Sequence, residues 1–174
     1  MKEIRLGKTN IIVKRIGMGG IPIQKLKASE SDKILEKAIE LGINFYDTAR
    51  IYTDSENKYG RILSKYRDKV YIATKTYARC GSSVEKDLNM SLKNLKTDYI
   101  DFYLCHNVST ENDVKEILAP DGALEIFLKK KQEGIIQHIG FSAHKPWIAI
   151  ELLKRFDFYL IQIPFNIVDT GSME

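Results

Sequence analysis

Cysteine is scarce in this sequence, two among 174 residues. Cys80 and Cys105 are too far apart for a Cys-x-x-Cys pair and too few for a metal cluster or a disulfide framework. No metal site is expected, and a reduced, cytoplasmic setting is the plain expectation. Long apolar runs are missing too: none approaches the ~20 residues a membrane helix needs, and Met1 to Arg5 leads with charge into a polar-apolar alternation rather than into a signal peptide. Nor is there an excess of one charge. The 27 Lys and Arg against 23 Asp and Glu leave +4, with the signs mixed, so no basic face is gathered for nucleic acid. Hydrophobic residues at 44% and charged residues at 29% are ordinary globular values. One domain over residues 1–174 is expected, with neither nucleic acid nor membrane as a partner.

What is present is a repeat. Short β-rich runs centred near Ile16, Phe45, Ile72, Phe102, Ile139 and Ile161 alternate with helical patterns. The first helix, at about residues 29–41, carries Ile34, Leu35, Ala38 and Leu41 on one face, with a Ser29-x-x-Asp32 start and Gly42 as its stop. The next, at about residues 56–66, presents Tyr59, Ile62, Leu63 and Tyr66, and a third opens at Ser82-x-x-Glu85 and buries Val84, Leu88, Leu92 and Leu95. A short helix near Val114 to Leu118, one from Ala123 to Gln132, and one from Pro146 to about Arg155 complete the set. The runs Val70 to Thr74, Tyr99 to Cys105 and Phe158 to Ile163 are apolar nearly throughout, as in a parallel sheet covered on both faces.

Such a series builds an open doubly wound sheet or a closed barrel. Gly17-Met18-Gly19-Gly20 follows the first strand, but Ile21-Pro22-Ile23-Gln24 does not begin a helix, so the GxGxxG fingerprint is absent. The expectation is an α/β fold of the (β/α)8 TIM-barrel type, incomplete at about six strand-helix units. A hairpin of Glu3 to Leu6 and Ile11 to Val13 precedes it and reads as a lid.

In such a fold the chemistry gathers where strands end. The second, third and fourth strands of the repeat run out at Asp47 to Tyr52, Thr74-Lys75 and Cys105-His106. Singly, Asp47 reads as a turn residue, Tyr52 as packing, Lys75 as the strand's meeting with water and His106 as a satisfied ring. Jointly, four complementary ionisable groups at successive strand ends match an acid-base site. Tyrosine is a weak acid unless a cation stabilises its phenolate, a part Lys75 can take with Asp47 holding it. His106 can bond the oxygen on which charge develops. Proton donation to a carbonyl needs an electron source, and with no flavin motif or iron-sulfur ligands a diffusible hydride donor is the economical one.

The stretch GINFYDTARIYTDSENKYG, Gly42 to Gly60, followed by ATK at Lys75 and LCHN at His106, resembles the aldo-keto reductase superfamily. The closest likeness, in GFSAHKP and QIPFNIVD, is to the branch whose longer members end in a ferredoxin-like segment. The resemblance implies Tyr52 as the acid, with Asp47, Lys75 and His106 completing a tetrad, NADP(H) as cofactor and a small aldehyde or ketone as substrate. It implies that the hairpin plugs the barrel's bottom rather than lidding it. It also places Gly19, Gly20 and Ile21 against the cofactor, with Asp47, Ser142 and Gln162 at the nicotinamide, and shows Ala143 where the family has Asn. His138 reads as structural, His144 as either loop-fixing or substrate-touching, and Cys105 as buried packing.

Family elements that bind the cofactor's phosphates follow the sixth strand, so this chain is expected to bind NADP(H) weakly and to turn over poorly if at all. Its open sheet edges are expected to recruit partners, a second copy among them. Three readings stand together: a fragment of a longer reductase, a barrel closed by another chain, and a non-catalytic reductase-like binding or regulatory subunit.

Overall fold

The computed structural model describes residues 1–168 and Thr170; Asp169, the last residue of the QIPFNIVD motif, and residues 171–174 lie outside the described residues. The chain opens with an antiparallel hairpin of β1 (Glu3–Arg5) and β2 (Ile12–Lys14). Six parallel strands follow: β3 (Met18–Gly19), β4 (Phe45–Asp47), β5 (Tyr71–Thr76), β6 (Ile100–Cys105), β7 (Ile136–Ser142) and β8 (Leu160–Gln162). Between them run α1 (Ala28–Glu40), α2 (Ser55–Leu63), α3 (Gly81–Leu95), the pair α4 (Glu111–Leu118) and α5 (Ala123–Gln132), and α6 (Pro146–Leu153). The strands pair in chain order, β3 to β8. A doubly wound sheet would reverse that order at a switch point; an unbroken order is the wall of a barrel, here a curled half-barrel of six strands.

The pleat divides each strand between two cores. Tyr46, Ile72, Tyr103, Cys105, Ile139 and Phe141 turn outward into the layer between sheet and helices, where Leu35, Leu63, Leu88, Phe127 and Leu152 meet them. Ala73, Phe102 and Leu104 turn inward, packed by Phe45 and Leu160 and by Leu6 and Ile11 of the hairpin. The hairpin therefore fills the barrel interior away from the strands' C-terminal ends, as a plug and not as a lid. It is pinned there by Asn44, which accepts from the Lys14 amide at 2.9 Å and donates to the Ile12 carbonyl at 3.1 Å, and by the Lys8–Asp157 ion pair.

Element boundaries depart from the sequence reading where local contacts decide them. The first strand of the sheet lies at Met18–Gly19, in register with Tyr46 and Asp47, and Ile16 is left exposed. Helix α1 starts at Ala28 rather than at Ser29, because the Glu30 carboxylate reaches back to the Lys27 amide at 2.8 Å and supplies the cap. Ile34 and Leu41, read as core, are 41% and 58% exposed. Among the described residues the main helical neighbour of α1 is α2, which leaves the outer part of its apolar stripe exposed. The helix expected over 56–66 ends at Leu63 and continues as a 3₁₀ segment, Ser64–Lys69. Helix α3 begins at Gly81 and α6 ends at Leu153, each a residue or two from the expected bound.

Candidate active site

Register and pleat assemble the site. Gly19 pairs with Asp47, Asp47 with Ala73, Lys75 with Leu104, and Ser142 with Gln162. Parallel partners share a face, so Gly19, Asp47, Lys75, Ser142 and Gln162 all stand on the inner face at the strands' C-terminal ends. His106, two residues beyond Leu104, keeps the same parity. Tyr52 comes from the loop after β4, which is anchored by the Thr48 and Arg50 amides donating to the carbonyls of Ala73 and Lys75 at 2.8 and 2.9 Å.

A cleft of about 280 Å³ results, lined by Ile21, Asp47, Tyr52, Lys75, His106, Ser142, Ala143, His144, Gln162, Ile163 and Pro164. All four residues of the expected tetrad meet in it. Lys75, 2% exposed, donates to Asp47 Oδ2 at 2.7 Å and to the Thr48 carbonyl at 2.8 Å. Its Nζ lies 5.2 Å from the centre of the Tyr52 ring. The Tyr52 and His106 rings meet edge to face at 5.6 Å. The His106 backbone is tied to the Thr76 carbonyl at 2.8 Å and by Arg79 Nη2 at 2.7 Å, while its buried Nδ1 has no partner among the described residues.

Burial governs the protonation states. Burial, helped by the Asp47 carboxylate and by Tyr77, pushes the Tyr52 phenol up to about 12. Lys75 is held below the usual lysine range by burial, against which Asp47 acts. Burial, and then the charges of Lys75, Arg79 and His144, bring His106 down to about 4, so the ring is neutral across the physiological range.

The remaining sequence-singled residues fall into place around this centre. Ser142 Oγ accepts from the Asn107 amide at 2.8 Å. Gln162 donates to Asp47 Oδ1 at 2.7 Å. Ala143 is buried, its amide bonded to the Gln162 carbonyl at 3.0 Å, so a methyl stands where an amide side chain was expected. Ile21 lies exposed on the rim, and Gly19 faces open space. Gly20 is packed instead: a Cβ there would stand 2.4 Å from Ser55 Oγ and 2.9 Å from the Asp47 carbonyl, and its amide donates to that carbonyl at 2.7 Å. His144 is exposed at the cleft rim. His138 is away from the cleft, its ring 5.0 Å from each of Phe102 and Tyr159. Cys105 is buried, its thiol pushed up to about 12 by desolvation.

Two contributors escaped the sequence reading. Tyr77 lays its ring 4.5 Å from that of His106; the signal was its parity, two residues beyond Lys75. Glu56, noted only as part of a motif, is 1% exposed and supports the site from behind by binding the Thr74 hydroxyl, next to Lys75, at 2.8 Å. Among the described residues no three His, Cys, Asp or Glu side chains gather as a metal site, and no helix is long and apolar enough to cross a membrane.

Comparison with known proteins agrees with the fold. The profile of the Aldo/keto reductase family matches residues 15–173. An uncharacterized oxidoreductase of Bacillus subtilis, YqkF, is 31% identical over the whole chain, and L-galactose dehydrogenase of Arabidopsis thaliana is 31% identical over 96% of it. The chain spans 59% and 54% of those two proteins. Among solved structures, the holo form of aldo-keto reductase AKR11C1 from Bacillus halodurans superposes with a TM-score of 0.83 at 29% identity, covering 95% of this chain and 58% of that one.

Proposed function

Because the chain belongs to the aldo/keto reductase family, we propose that this cleft reduces a small aldehyde or ketone with NADPH, Tyr52 giving the proton. The observation carrying the proposal is the convergence of Asp47, Tyr52, Lys75 and His106 with Ser142 and Gln162 on one cleft. The residues present suit the nicotinamide end of such a cofactor. His106 lines the cleft, and Ser142 and Gln162 stand side by side on the wall. Ser142 would hold the carboxamide by its hydroxyl and Gln162 by its amide oxygen, with no polar help from Ala143.

When bound, the reduced nicotinamide supplies a hydride to the carbonyl carbon. The protein's part is the oxygen. Tyr52, pushed up to about 12, holds its proton at neutral pH and releases it only as the carbonyl oxygen gains charge. Lys75, 5.2 Å from the ring centre, stabilises the phenolate left behind, and Asp47 keeps the ammonium in place. Neutral His106 offers a hydrogen bond to the same oxygen. Ile21, Ala143, Ile163 and Pro164 give the remaining wall an apolar character that suits a small uncharged substrate.

The test is NADPH oxidation against a panel of small aldehydes and ketones. Tyr52→Phe is expected to lower turnover by about 10² or more with thermal unfolding unchanged. Turnover in this chain is expected to be weak, so the screen is run on it and on a form extended at its C-terminus; equal turnover in the native and Tyr52→Phe proteins, or none with any carbonyl in either form, rejects the proposal, the latter outcome favouring a binding subunit.

A further inference from the structure

The last strand of the half-barrel reaches the acid-base cluster through one side chain. Gln162 Nε2 donates to Asp47 Oδ1 at 2.7 Å while Lys75 Nζ donates to Oδ2 at 2.7 Å. The amide's orientation follows from chemistry, since a carboxylate only accepts and must face the NH2 end. Both Asp47 oxygens are thus engaged, one by β5 and one by β8. Strand β8 is three residues long and, among the described residues, is paired on one side only, with β7, so the side chain at its end reports whether that strand is seated.

Resting on the function proposed above, we propose that Gln162 is a positioning residue. It fixes the Asp47 carboxylate so that Oδ2 faces Lys75, and it couples the seating of β8 to the charge beside Tyr52. This role operates in the cofactor-free chain and is separate from any contact Gln162 makes with a carboxamide. The lysine is sensitive to it: Lys75 is buried, burial opposes its charge, and Asp47 is what counters that burial.

The titration of Lys75 reads the coupling directly. In the cofactor-free chain, labelled lysine side chains are followed by NMR across pH, with Lys75 assigned by the signal lost in Lys75→Arg. Gln162→Leu frees Asp47 to turn away and is expected to lower the Lys75 midpoint by about half a unit to one unit. Gln162→Glu, which sets a second carboxylate beside the pair, is expected to raise it. Opposite displacements support the proposal. A midpoint unmoved in both variants overturns it, as does a rise in both, the result of β8 simply undocking and exposing the lysine. Should Gln162→Leu fail to fold, Gln162→Met, which also lacks the donor, is read in its place: a lowered midpoint supports, an unmoved or raised one overturns. Because no turnover is measured, absent reductase activity with the coupling intact would reject the function and leave this role standing.

Discussion

His106 shows how much of a residue's chemistry comes from its surroundings. Burial and nearby cations depress it to about 4 from 6.5, so between those values the unfolded chain binds a proton that the folded site refuses. Stability is then fully present above about pH 6.5 and falls as the pH drops through that window, by up to ~1.4 kcal/mol per unit. His138 is depressed in the same direction by burial and Lys131 and adds to the slope. Urea unfolding at pH 7 and pH 5 should show a smaller loss in His106→Gln than in the native chain; an equally steep loss would mean that the ring is not held neutral. The identities of Asp47, Tyr52, Lys75 and His106 were legible in the sequence because strand ends and a period of two are local properties. The direction of the Tyr52 shift was not, because it depends first on how deeply the folded chain buries the ring and then on the charges of Asp47 and Tyr77 beside it.

At the scale of the elements, the motif running from Asp47 to Gly60 serves packing as much as chemistry. Glu56 at the start of α2 accepts from Arg50 at 2.5 Å, Thr74 at 2.8 Å, Ser91 at 2.6 Å and Asn94 at 3.1 Å. One buried carboxylate thereby joins α2, β5 and α3. Four residues on, Gly60 lets α2 and α3 touch: a Cβ there would stand 2.0 Å from the Asn94 carbonyl, and that closeness brings Glu56 within reach of its partners. Glu56→Ala strips two buried donors, Thr74 and Ser91, and two half-buried ones, Asn94 and the charged Arg50, and should cost about 3–5 kcal/mol in denaturant unfolding. Glu56→Gln keeps one acceptor oxygen and should cost less, and a loss in the Ala variant below about 1 kcal/mol would place it with exposed pairs. Helices and strands were legible from periodicity, whereas their ends were set by contacts distant in sequence or by caps, as Glu30 shows at α1. The fully buried role of Glu56 was hidden because its partners lie 6 to 38 residues away.

At the scale of the molecule, the strand order from β3 to β8 leaves two outer edges among the described residues. Unpaired edges offer rows of backbone donors and acceptors to another chain unless charge, proline or a bulge blunts them. Ile16 and Ile21 flank β3 at 57% exposure each, and beside β8 Phe165, Ile167 and Val168 are 60%, 99% and 89% exposed. Apolar side chains next to open backbone are the surface from which association grows. The chain is therefore expected to self-associate, its weight-average mass in sedimentation rising across a dilution series. The double substitution Phe165→Lys and Ile167→Lys places like charges on the β8 edge in every copy and should move the population toward monomer without altering the melting of the sheet. The same shift from Ile16→Lys alone would assign the contact to β3 instead, and a head-to-tail arrangement joining β3 of one copy to β8 of the next would respond to both. A chain that stays monomeric throughout the series would mean that these edges are protected in solution, and the prediction would fail.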